Sequence, residues 1–155
     1  MRTNLNSRSN FQTSSKDGKH AFTCQHGEGE CQGNRLHSCA IKHYSTSDAL
    51  DFVRCSMASR YPPDAGPECS KDLGLDYSKI ETCLSSGEGH ELLATNGRKT
   101  NSLSPSLYFV PWIVYDGKWT EEDMEMSLMD AQSVVCEKIG PEDCDTENRG
   151  SRRIR

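Results

Sequence analysis

Eight cysteines constrain this chain more than any other feature: Cys24, Cys31, Cys39, Cys55, Cys69, Cys83, Cys136 and Cys144. They are even in number, widely spaced and absent from both ends. They sit in a 155-residue chain that is only 34% hydrophobic. Average globular chains run to roughly 45–50% apolar with Gly included, and the 12 Gly here do not close the gap. So thin a core is marginal on burial alone. The cysteines therefore read as a disulfide framework, which implies an oxidising compartment. Each bridge contributes roughly 2–4 kcal/mol, mainly by restricting the unfolded chain. The spacing leaves the pairing open.

The start of the chain pulls the other way. Residues 1–15 contain no apolar run of the kind a secretory signal needs, and no segment is apolar enough to span a membrane. Either the cysteines stay reduced in the cytosol, or the natural N-terminus lies upstream of Met1, and the second is the expectation. Charge is uneven. The net value is −5, and residues 1–19 and 146–155 each carry +3, which leaves −11 between them. An acidic body argues against nucleic-acid binding. The length suits one domain. The expected organisation is a disordered polar segment over residues 1–18, a domain over 19–145, and a basic disordered tail over 146–155.

Within the domain, His20–Cys24 reads as a short strand. Gly27, Gly29 and Gly33 read as breaks that divide the next segment into turns. A helix is predicted from Asp48 to Arg60, capped by Ser47, with Ala49, Leu50, Phe52, Val53 and Met57 apolar. Tyr61-Pro62-Pro63 ends it. Asp64–Leu75 reads as a loop pinned by Cys69. Helices follow over Tyr77–Ser85, with Ile80, Cys83 and Leu84 inward, and over Gly89–Leu103. Leu107–Tyr115 is the strongest strand signal, being aromatic and β-branched. Asp116-Gly117 reads as its hairpin turn. Thr120 caps a last helix with Asp123 at its third position. Met124, Leu128, Ala131, Val134 and Val135 form its predicted buried face, with Met129 packed and Met126 exposed.

The stretch Cys24–Cys39 is CQHGEGECQGNRLHSC. Cys24, Gln25, His26, Gly27, Glu30, Cys31, Asn34 and Cys39 match every fixed position of a signature, Cys-Gln-His-Gly-x-x-Glu-Cys-x-x-Asn-x-x-x-x-Cys. Ile80-Glu81-Thr82-Cys83, Gly89, Leu92-Leu93, Thr100, Val110-Pro111-Trp112-Ile113 and Gly117 look like further landmarks. On these residues the chain resembles the gamma-interferon-inducible lysosomal thiol reductase (GILT) family over roughly residues 20–144.

The resemblance implies an α/β, partial thioredoxin-like fold with a helical insertion, rich in disulfides. It lacks the first β-strand and catalytic helix of that fold. It implies a thiol oxidoreductase that reduces disulfides of protein substrates, in a lysosomal, endosomal or secreted setting. That chemistry uses a Cys-x-x-Cys pair: one thiolate attacks the substrate disulfide and the second resolves the mixed disulfide. Here the closest cysteines, Cys24 and Cys31, have six residues between them. No catalytic residue can be assigned, and activity is expected to be impaired. The resemblance also implies a cis Val110–Pro111 bond at a substrate groove. A non-catalytic, disulfide-stapled binding protein on the same scaffold is the alternative. Cys24, His26, Cys31, His37 and Cys39 are zinc-ligand types. They lack the usual close Cys pairs, so disulfides and turns are expected there, with no metal or cofactor. His26 is expected to form a structural hydrogen bond. His20, His43 and His90 carry no pattern and read as surface.

Overall fold

The computed structural model describes residues 12–16, 19–140 and 144. The chain divides into two compact units, one ending at Tyr108 and one beginning at Phe109. The expected disorder of residues 1–11 and 17–18 and the expected tail over 146–155 lie outside the described residues.

The first unit opens with a hairpin. β1 (Gln12–Lys16) pairs antiparallel with β2 (Lys19–Thr23) in the register Gln12↔Thr23 to Lys16↔Lys19. Residues 12–16 therefore depart from the predicted disorder. The sequence between the strands is Asp17-Gly18, the dipeptide favoured in two-residue hairpins.

Five helices follow: α1 (Glu28–His43), α2 (Thr46–Ala58), α3 (Gly66–Leu73), α4 (Tyr77–Ser85) and α5 (Glu88–Asn101), with a 3₁₀ turn at Pro62–Asp64. In sequence, the glycine-rich signature reads as a series of turns. It forms α1, the longest helix of this unit at 16 residues. A helical Gly costs roughly 1 kcal/mol against Ala, but packing outweighs that here. Gly29 and Gly33 lie one turn apart and face the chain at Tyr61–Pro63. A Cβ on Gly29 would stand 3.0 Å from the Tyr61 hydroxyl, and one on Gly33 3.8 Å from Pro63 Cγ. The glycines serve close approach, not chain breaking. The same side of α1 buries Leu36 and Ala40, with Cys39 buried at its edge.

These three join Phe52, Ala65, Cys69, Ile80 and Cys83 in one core. Phe52 is fully buried, edge-on to Tyr44 at 5.7 Å, and its burial stabilises the fold by about 2–3 kcal/mol. Ser45, not Ser47, caps α2 by accepting the amide of Asp48 at 3.2 Å. The helix buries Ala49, Phe52 and Ser56 and leaves Leu50 and Met57 exposed. The expected loop over Asp64–Leu75 contains α3. Pro67 lies in its first turn, where a proline's missing N–H costs nothing, and Gly66 fits against Tyr77 and Leu36. α4 spans the predicted residues and buries Ile80 and Cys83. Cys39–Cys83 joins α1 to α4, and Cys55–Cys69 joins α2 to α3. Gly89 of α5 rests on the first of these bridges: its Cβ would lie 3.1 Å from Cys39 Sγ.

The second unit contains α6 (Glu121–Ile139) and the segment before it. Thr120 caps α6 by accepting from the Asp123 amide at 3.0 Å, as predicted. The predicted strand over Leu107–Tyr115 is absent. Tyr115 and Lys118 form an isolated bridge around Asp116 (φ 48°) and Gly117 (φ 74°). Pro111 has no N–H to give to a ladder, and the aromatic residues stack instead. Trp112 lies flat on Trp119 at 4.6 Å, with Phe109 edge-on at 5.1 Å. The predicted helix face also shifts. Met124, Ser127 and Val134 are buried, while Leu128, Met129, Ala131 and Val135 are exposed. Asp130 accounts for the part of the shift that follows it. Its backbone leaves the helical region (φ −154°, ψ 86°), and its carboxylate caps the next turn through the Ser133 amide at 3.1 Å. The face therefore changes phase midway. Cys136–Cys144 closes the unit.

The described residues are thus mainly helical and disulfide-rich. Their strands are β1 and β2, one small hairpin carried by helices.

Candidate functional site

The signature residues build the start of α1. The Gly27 amide donates to the Cys24 carbonyl at 3.1 Å, closing a turn. Gly27 holds φ 88°, a conformation that favours glycine. Glu30 then reaches back: its Oε2 accepts the His26 amide at 2.6 Å and lies 3.1 Å from His26 Nδ1. The carboxylate thus satisfies a free donor at the helix entry. The Cys24–Cys31 bridge ties the end of β2 to the first turns of the helix. Gln25 is exposed, and Asn34 is half-buried with its carbonyl accepting the Ser38 hydroxyl at 2.7 Å. Cys39 is fully buried with Cys83. The signature is therefore one continuous structural device.

His37 continues it. Its Nε2 lies 2.9 Å from Ser56 Oγ, and that hydroxyl donates to the Pro62 carbonyl at 3.2 Å. With the hydroxyl's proton committed, His37 donates from Nε2. Burial lowers its pKa, which favours the neutral ring.

Cavities flank the helix. One of about 390 Å³ is lined by Phe22, Cys24, Cys31, Arg35 and His90, among others. A second, about 470 Å³, lies between the helix start and Met57, Tyr61 and Pro63. A third, about 320 Å³, lies toward Leu93 and Asn96 of α5. Glu30, Asn34 and His37 line both the second and the third. The structure thus brings the signature's polar residues onto a ridge between two grooves.

All eight cysteines are bridged. The framework read from the sequence is present in full, and no thiol is available for nucleophilic attack. His43, Cys83 and Glu88 place ligand-type atoms within 4.8 Å of one another. Cys83 is bonded to Cys39 and offers no thiolate, so the group reduces to His43 Nε2 against Glu88 at 2.9 Å. That pair corrects the reading of His43 as patternless surface. His20 likewise meets Glu91 at 3.0 Å, and His90 Nε2 lies 2.7 Å from Arg35 Nη1. The sequence reading missed Arg35 altogether. The available signal was its spacing, one turn after Cys31 on the same helical face.

Val110 and Pro111 lie in the second unit. Their peptide bond is cis, as is Ser104–Pro105 in the first. Val110 is 65% exposed.

A family model described as gamma interferon inducible lysosomal thiol reductase (GILT) matches residues 1–73. A gamma-interferon-inducible lysosomal thiol reductase-like protein of Anopheles gambiae is 30% identical over 135 residues, covering 78% of this chain and 56% of the relative. A GILT-like protein of Caenorhabditis elegans is 36% identical over 120 residues, 76% of this chain and 36% of the relative. The gamma-interferon-inducible lysosomal thiol reductase of Carassius auratus is 30% identical over 132 residues, 82% and 51% respectively. The chain spans about half the length of the curated relatives it matches.

Proposed function

Because the chain belongs to the gamma-interferon-inducible lysosomal thiol reductase family, we propose that it serves the reduction of protein disulfides as a stapled scaffold and does not itself turn over. One observation carries this reading. Every cysteine is bridged, and none belongs to a Cys-x-x-Cys pair. Reduction of a substrate disulfide needs an attacking thiolate and a resolving thiol, and these residues hold neither. A thioredoxin-like architecture and a substrate-groove role for Val110 and Pro111 belong to the same proposal, as does an oxidising, lysosomal or secreted location.

The test is a protein-disulfide reduction assay on the full chain at acid pH. No turnover is expected. Turnover that persists in a Cys24→Ser, Cys31→Ser variant free of contaminating reductase would refute the scheme.

A second reading, a stapled binding protein, is favoured by the groove beside α1. Its wall includes Met57 and Tyr61, which are 62% and 51% exposed.

A further inference from the structure

We propose that the cavity between β2, the start of α1 and α5 is a binding site for a monoanionic carboxylate, held by Arg35. This inference does not depend on the redox reading above.

Arg35 lines that cavity with Phe22, His90 and the Cys24–Cys31 bridge. Its guanidinium is always charged and carries only donors. Among the described residues it enters no ion pair. Its Nη1 donates to His90 Nε2 at 2.7 Å, and a neutral imidazole balances no charge. Its Nε is buried with no hydrogen-bond partner, as is Nδ1 of His20, which lines the same cavity. A buried cationic donor left unmatched is costly. Nε is closed off from the cavity, so what Arg35 offers a ligand there is its guanidinium charge, which no described carboxylate pairs. A carboxylate entering beside it would balance that charge, and its two oxygens fit a guanidinium edge.

The other walls narrow the choice. Glu28 also lines the cavity, and Glu91 stands beside it through its contact with His20. A dianion such as phosphate would face their repulsion. Phe22, stacked near His90 at 5.9 Å, and the disulfide supply an apolar wall. The volume of about 390 Å³ is in the range of small-ligand pockets. The ligand is therefore a carboxylate bearing an apolar group, whether a free acid or a peptide C-terminus.

The test follows the full, oxidised chain by NMR. The probes are N-acetyl-phenylalanine, its amide, a tetrapeptide ending in phenylalanine with a free or amidated C-terminus, and inorganic phosphate. The acids should bind at least about tenfold more tightly than their amides, in keeping with a charge-assisted contact. Binding should shift the His90 resonances and raise that ring's pKa. Burial, Arg35 and His20 hold it down in the free protein, against Glu91. Arg35→Gln should abolish the acid preference. Arg35→Lys, which keeps the stem packed on Gly89, should retain the fold and weaken it. Preference for the small acid identifies a free acid as ligand, and preference for the tetrapeptide acid a peptide terminus. Equal binding of acid and amide, tighter binding of phosphate, no binding at all, or an acid preference that survives in folded Arg35→Gln would each overturn the proposal. If Arg35→Gln does not fold, the acid–amide ratio and Arg35→Lys decide.

Discussion

The unit ending at Tyr108 and the unit beginning at Phe109 solve the same shortage of apolar residues differently. The first gathers its hydrophobic side chains into one core and staples it over long sequence distances. Cys39 and Cys83 are 44 residues apart, and both are fully buried. The second relies on neighbours. Its bridge, Cys136–Cys144, spans 8 residues. Its buried helix residues are Met124, Ser127 and Val134, and its aromatic stack is local. Its helix leaves Leu128, Met129 and Ile139 at least half exposed. The lesson is that an average of 34% hydrophobic conceals a well-filled core in one unit and a sparse one in the other.

The comparison is tested hardest by removing bridges. Loss of Cys39–Cys83 through paired alanine substitutions should cost about 4 kcal/mol in loop entropy, and loss of Cys136–Cys144 about 2.5. The first pair also leaves a buried void, which widens the gap. Urea unfolding separates the units. Both tryptophans, Trp112 and Trp119, lie in the second, whereas five of the six helices among the described residues lie in the first and dominate far-UV circular dichroism. A larger loss from the 136–144 pair would reverse the account.

Side-chain truncation sharpens the contrast at a smaller scale. Phe52→Ala should cost about 3–5 kcal/mol, because the ring is fully buried and its void cannot collapse freely. Leu128→Ala, at a 56% exposed site, should stay within about 0.5 kcal/mol. Equal costs, measured by the same unfolding curves, would mean that Leu128 is covered in solution.

Much of this architecture is legible in the residues, and the failures share causes. The α4 boundaries and the Thr120 cap were readable because local signals, Asp76 and Thr120 before apolar runs, agree with the packing. The hairpin at residues 12–23 was also written in the sequence, as Asp17-Gly18, but its strands lack an apolar alternation to mark them. α1 was hidden because Gly27, Gly29 and Gly33 look like breaks until the segment Tyr61–Pro63 is laid against the last two. The strand over Leu107–Tyr115 was over-read. Aromatic and β-branched residues suit a strand, but here they stack on each other around Pro111. Arg35, the centre of the cavity beside the Cys24–Cys31 bridge, is invisible without the distant His90 that meets it. Signature residues could be found from the sequence; the partners that give the cavity its chemistry come from chain segments far apart.

The smallest expected difference between the units is their response to acid. In the first, burial depresses the pKa of His37 below its ordinary 6.5, so the folded state binds that proton less readily than the unfolded chain. Its contribution to stability is present above about pH 6.5 and is lost as pH falls through the lower, folded value. His90 has the same sign, through burial first and then Arg35 and His20. In the second unit the responsive carboxylates are Asp130, whose pKa hydrogen bonds from Ser133 pull below 3.8, and Asp123. Hydrogen bonds from Lys138 and Thr120, in that order, pull the pKa of Asp123 below 3.8. The stabilisation from each is present above that value and disappears only as pH falls further. The Asp123–Lys138 pair is solvent-exposed, so its effect is weak. Lowering the pH from neutral should therefore loosen the first unit at mild acidity, while tryptophan fluorescence from the second stays unchanged until the carboxylate range. His37→Gln keeps a donor for Ser56 without a titrating ring. It should flatten part of the dichroism-detected pH dependence, leaving the share due to His90, and should not move the fluorescence-detected curve. If the substitution left the pH dependence of the first unit untouched, its acid response would belong to other groups. A tryptophan signal that changed near pH 6 would instead show that the two units unfold together, and the contrast between them would fail as a statement about stability.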